Sequence, residues 1–128
     1  MILGYVTIGA SDLARARRFY DAALAPLGIA CEEAWPENGW ARYGRAGEAQ
    51  KLYIGRPFDG GPVSHGNGSM VALACPDAAT VQACHAAALA VGGTDEGAPG
   101  PRPRYGDFYG GYARDPDGNK LCFYVAQR

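Results

Sequence analysis

The chain alternates short apolar strands with two helical stretches, and it does so twice. Residues Ile2 to Gly9 form an apolar run ending at Ser11-Asp12, where an aspartate can cap a helix. The stretch that follows places Leu13, Ala16, Tyr20 and Leu24 on a stripe close to the 3.6-residue period, with Arg15, Arg17 and Arg18 mostly off it. A second apolar run, Ser69 to Cys75, leads to Asp77 and an alanine-rich helix reaching Val91. Glycines at Gly28 and Gly92-Gly93 mark both helix ends. Three shorter strands are expected after each helix. The last hairpin turns on Asp115-Pro-Asp-Gly-Asn119, where proline fixes φ and glycine supplies a positive φ.

These two series are copies of one unit. Tyr5-Val-Thr-Ile-Gly-Ala-Ser-Asp12 lies over Met70-Val-Ala-Leu-Ala-Cys-Pro-Asp77 at a constant shift of 65 positions, held through Gly28 onto Gly93. Further on the shift becomes 69, setting Tyr43 on Tyr112, Arg45 on Arg114, and Lys51-Leu52 on Lys120-Leu121. The same shift makes Trp40 and Arg42 the counterparts of Tyr109 and Gly111. The expected fold is α+β, with tandem βαβββ modules forming a curved mixed sheet around a shared cleft and the helices outside. One domain, 1–128, holds two repeats, 1–58 and 67–128, joined by the Gly/Pro-rich stretch Pro57 to Gly68.

Strand alternation separates the two faces. Val6 and Ile8 oppose Tyr5 and Thr7, Val71 and Leu73 oppose Met70 and Ala72, and Leu52 and Ile54 oppose Tyr53. Leu121, Phe123 and Val125 oppose Cys122 and Tyr124. The aliphatic sets should face the helices, which leaves Tyr5, Tyr53, Met70 and Cys122 on the other face.

With 128 residues and 48% hydrophobic content, the chain can bury a core without disulfides. A formal net charge of -1 argues against nucleic acid or an anionic membrane as partner. No transmembrane stretch or signal-like N-terminus is present, and Cys31, Cys75, Cys84 and Cys122 lack CxxC spacing. Reduced thiols and a cytoplasmic location are the expectation.

The duplicated unit, the opening Gly4-Tyr-Val-Thr-Ile-Gly-Ala-Ser-Asp-Leu13 with Arg18-Phe-Tyr20, and the closing Asp115-Pro-Asp-Gly-Asn-Lys120 together resemble the vicinal oxygen chelate superfamily. That group comprises the glyoxalase, bleomycin resistance and extradiol dioxygenase proteins. The resemblance spans essentially the whole chain. It implies a homodimer and, in metal-using members, two histidines and a glutamate as ligands. Carried over, the histidine positions fall on Tyr5 and Met70, the glutamate on Cys122, and a fourth site near Tyr53. None supplies imidazole or carboxylate, the donors such divalent sites use. Tyrosine stays protonated near neutral pH, and Met and Cys are soft donors suited to Cu(I). The expectation is therefore no metal and no cofactor.

Other residues offer less chemistry. His85 stands where Tyr20 stands in the first copy and reads as a packed helix residue, while His65 belongs to the linker and reads as a solvated loop residue that could approach the pocket. Cys122 lacks an identifiable base and reads as an inert thiol. The loop Pro99 to Tyr109 carries Arg102, Arg104, Tyr105 and Tyr109; a surface loop and a cavity border remain equal readings. The expected ligand-binding set is Tyr5, Trp40, Tyr53, Met70, Arg104, Tyr105, Tyr109 and Cys122, suited to a planar or anionic small organic molecule. The leading reading is a metal-independent binding module. A glyoxalase-like lyase or dioxygenase-type enzyme with an altered metal site is the alternative, and a dimeric scaffold with a vestigial cleft is the third.

Overall fold

A computed structural model describes residues 2–126. The first half runs β1 (Tyr5–Gly9), α1 (Leu13–Ala23), β2 (Ala30–Trp35), β3 (Trp40–Gly44) and β4 (Lys51–Gly55). The second runs β5 (Val71–Ala74), α2 (Ala78–Ala90), β6 (Thr94–Pro101), β7 (Phe108–Arg114) and β8 (Lys120–Ala126). Each half is a four-stranded mixed sheet, ordered β1-β4-β3-β2 and β5-β8-β7-β6, with the first-listed pair parallel. The α+β fold and the duplicated βαβββ plan are as the sequence pattern predicts. The first strand starts at Tyr5, later than the apolar run suggests, because Ile2 and Leu3 are solvent-exposed. Among the described residues, no helix is long and apolar enough to cross a membrane.

Both helix starts form as their aspartates dictate. Asp12 Oδ1 accepts the Arg15 N–H at 3.0 Å, and Asp77 Oδ1 accepts the Thr80 N–H at 2.8 Å. A 3-10 turn, Ala25–Leu27, follows α1 and closes on Gly28 with φ +71, a left-handed conformation that favours glycine.

The helices touch each other and share one core with the aliphatic faces of both sheets: Ile8, Phe19, Tyr20, Leu24, Tyr43 and Ile54 from the first half, Val81, Cys84, Leu121 and Phe123 from the second. Polar contacts at the turn between β7 and β8 fasten the halves together. Tyr20 Oη donates to Asp115 Oδ2 at 2.6 Å, and Asn119 Nδ2 donates both to Asp115 Oδ2 at 2.8 Å and to the Gly9 carbonyl at 2.9 Å. On the surface, Ser11 Oγ donates to Asp117 Oδ1 at 2.6 Å. Burial and the adjacent Asp115 charge push the Tyr20 phenol well above its ordinary pKa, so it stays a donor.

One alignment needs correction. Tyr43 pairs with Leu52, but Tyr112 pairs with Cys122, and it is Ala113 that pairs with Leu121. The structural shift from β3 to β7 is therefore 70, although it is 69 from β4 to β8. One residue is a whole face in a strand. Trp40 is thus equivalent to Gly110, Arg42 to Tyr112 and Gly44 to Arg114, replacing the Trp40–Tyr109 and Arg42–Gly111 equivalences.

Tyr20→Phe is expected to lower unfolding free energy in urea by about 1.5–3 kcal/mol, the usual worth of a buried hydrogen bond to a charged group. A change below about 0.5 kcal/mol would show that the Asp115 contact does not hold the halves together.

Candidate functional site

Strand parity holds for the four positions that matter most. Val6, Ile8, Leu52 and Ile54 point into the core, so Tyr5, Thr7 and Tyr53 share the opposite face. Tyr5 is 65% exposed and meets Tyr53 edge-on with ring centroids 5.2 Å apart. Met70, 47% exposed, precedes Val71, whose partner Leu121 is buried. Cys122 occupies the same face as Met70 yet is only 1% exposed. Tyr112 is its cross-strand partner, and burial raises the Cys122 pKa to about 11.

The free face of the first sheet carries more than aromatics. Trp40 lies there, and a Cβ on its strand partner Gly55 would collide with the Trp40 ring, so only glycine lets the two strands pair so closely. Arg42 pairs with Tyr53 across the strands. Glu32, the bulged residue of β2, accepts from Arg42 Nε at 3.2 Å and Lys51 Nζ at 2.9 Å. Those contacts, Lys51 foremost, hold the Glu32 carboxyl below its usual range.

The remaining loop residues divide. Tyr105 packs edge-on against Phe108 at 5.7 Å, and Phe108 stacks on Tyr124 at 5.3 Å, which links Tyr105 to the free face of the second sheet. Arg104 sits over the Tyr105 ring at 5.6 Å and is exposed. Tyr109 does not join them. It packs against the core on the helix side, and its Oη accepts from Gln82 of α2 at 2.7 Å. His85 is buried, and its Nε2–H donates to Asp95 Oδ1 at 3.1 Å and the Tyr112 carbonyl at 3.2 Å. His65 lies against Gly118.

The eight expected ligand residues therefore do not enclose one chamber. Instead, the unpaired edges of β1 and β5 border a seam with a cavity at each end. The first, about 330 Å³, is lined by Leu3, Tyr5, Leu27, Ile29, Leu73 and Tyr124, among others, with Lys51 and Arg45 at its polar side. The second, about 390 Å³, holds Met70, Thr7, His65, Ser69 and Lys120. Tyr124, Arg42 and Lys120 stand outside the expected set, although alternation along β8 puts Lys120 and Tyr124 on the face of Cys122, and Arg42 is the strand partner of Tyr53.

The positions that would hold a family-type metal present two phenols, a thioether and a buried thiol. That donor set does not fit a hard or borderline divalent ion, which calls for neutral imidazole and carboxylate. Among the described residues, no three His, Cys, Asp or Glu side chains gather as a metal cluster.

Comparison with known proteins gives consistent matches. The family model of the Glyoxalase/Bleomycin resistance protein/Dioxygenase superfamily matches residues 2–123. A crystal structure of a glyoxalase/bleomycin resistance protein from Albidiferax ferrireducens T118 is 37% identical, with TM-score 0.89, covering 99% of this chain and 100% of that one. A glyoxalase-related enzyme from Fulvimarina pelagi shares the fold at 21% identity and TM-score 0.76, over 96% of this chain and 86% of that one. A family protein from Burkholderia phytofirmans PsJN does so at 17% and 0.75, over 97% and 98%. Comparison with curated proteins gives no match.

At pH 8 a thiol with a pKa of about 11 is thiolate in roughly one molecule per thousand. Native-state alkylation of Cys122 by iodoacetamide should therefore be far slower than that of half-buried Cys31. Equal rates by peptide mass mapping would contradict the burial of Cys122.

Proposed function

The chain belongs to the glyoxalase/bleomycin resistance protein/dioxygenase superfamily, and on that footing we propose that it is a binding module that takes a small organic molecule at the β1–β5 seam without the family's divalent metal. The observation that carries this reading is the apolar cavity of about 330 Å³ beside Tyr5. Its volume lies within the ordinary range of small-ligand sites, roughly 300–1,000 Å³. Leu3, Leu27, Ile29 and Leu73 supply a surface for an apolar body, and Tyr5 and Tyr124 supply rings against which a planar molecule can pack.

Catalysis has less support. The Cys122 thiol is buried and hard to ionise, and the His85 Nε2–H is committed to Asp95 and a carbonyl, so neither is poised as nucleophile or base. Exposure of Leu3, Tyr5 and Met70 along the seam supports a homodimer in which a second copy covers part of this surface.

Indole is a suitable neutral, planar probe. Titrated into labelled protein, which light scattering should show at twice the 13.5 kDa chain mass, it is expected to shift the amides of Tyr5, Leu73 and Tyr124. Ala74→Trp, at an exposed position lining the cavity, should abolish those shifts while preserving the rest of the spectrum. Shifts that persist in Ala74→Trp, or that map elsewhere, would refute this placement of the site.

A further inference from the structure

The two seam cavities are built on equivalent strand segments of the two halves. The first is built on Leu3–Val6, Gln50–Leu52 and Val71–Ala74; the second on Val6–Gly9, Ser69–Val71 and Asn119–Lys120. The shifts of 65 and 69 carry one set onto the other. Each cavity is thus lined in part by the lysine that opens the fourth strand of its own half, Lys51 or Lys120.

The charge balance of the two lysines differs. Lys51 Nζ donates to Glu32 Oε2 at 2.9 Å, and its charge is neutralised there. The equivalent acid is Glu96, because Glu32 and Glu96 are the bulged residues of β2 and β6 at matching places in the two sheets. Yet Glu96 accepts from Arg114 Nε at 2.6 Å and does not reach Lys120. The reason lies in one substitution between the copies. Arg114 stands where the first half has Gly44, and a Cβ at Gly44 would collide with the Lys51 side chain beside Glu32. An arginine at that position takes the glutamate for itself. Lys120 then lies over the Tyr112 ring, 5.4 Å from its centroid, without a carboxylate partner among the described residues. Arg102 sits over the same ring at 5.5 Å, and among the described residues its guanidinium donates to the Pro101 and Ala98 carbonyls and to no carboxylate.

The surroundings of Lys120 suit an anion. Thr7, Ser64 and Ser69 bring hydroxyls to this cavity, His65 brings an imidazole, and no aspartate or glutamate lines it. The acids of the adjoining turn are already engaged, Asp117 with Ser11 and Arg15, and Asp115 with Tyr20 and Asn119. Met70 supplies an apolar wall.

We propose that this second cavity is an anion site that takes the carboxylate of a small organic acid, with Lys120 as counter-ion and the Ser69 and Thr7 hydroxyls as donors. It is separate from the cavity assigned to the apolar ligand, and either can fail without the other.

Benzoate and its neutral isostere benzamide test the charge requirement by amide-shift titration. Benzoate should shift Ser69, Met70 and Lys120, and benzamide should not. Lys120→Met, which keeps the aliphatic stem over Tyr112, should weaken benzoate binding about tenfold or more, while Lys51→Met leaves it unchanged. Arg114→Gly should also weaken it severalfold, by releasing Glu96 to pair with Lys120. The proposal is overturned if benzamide binds as benzoate does, if Lys120→Met or Arg114→Gly keeps wild-type affinity, or if Lys51→Met loses as much as Lys120→Met.

Discussion

A single buried carboxylate sets how the two halves meet. Asp115 begins the turn between β7 and β8 and accepts from Tyr20 of the other half, from Asn119, and from the Asp117 and Asn119 backbone N–H groups. A buried charge survives only when it is satisfied on all sides, and here part of that satisfaction is supplied from across the duplication. Asn119 in turn reaches the Gly9 carbonyl at the end of β1. The β1 and β5 edges are thereby brought alongside without joining into one hydrogen-bonded sheet. The seam and its two cavities follow from that arrangement.

Duplication gives the seam two equivalent ends, and later substitutions made them unlike. One end holds Tyr5 and a lysine matched by Glu32; the other holds Met70 and a lysine whose equivalent glutamate pairs with Arg114. The same face lacks the donors for a hard metal, since two phenols, a thioether and a buried thiol stand where imidazoles and a carboxylate would be required. What the seam offers instead is cavity shape, aromatic surface and, among the described residues, a lysine without a carboxylate partner.

Much of this was legible in the chain. The capping aspartates, the duplication and the alternation of Val6, Ile8, Leu52 and Ile54 against Tyr5 and Tyr53 report local physics, and local physics is written residue by residue. Register in β7 was less so. Tyr43 and Tyr112 are the same residue type at similar places in the two copies, yet the turn after β3 holds one residue more than the turn after β7, and that single residue puts Tyr109 on the helix side. The seam was also hidden, because no spacing rule reports how two sheet edges from different halves lie beside one another. Nor does sequence disclose that Cys122 is covered while Tyr5 is open, since both obey the same alternation.

This member of the superfamily keeps the fold, while its ligand positions carry no donor set suited to the family's metal. Elemental analysis of folded protein, purified from metal-replete cells without chelator, tests it most directly. Well under one equivalent of Fe, Mn, Ni, Zn or any other transition metal per chain is expected; a stoichiometric divalent ion that survives dialysis would show that these positions, or others, still hold a metal.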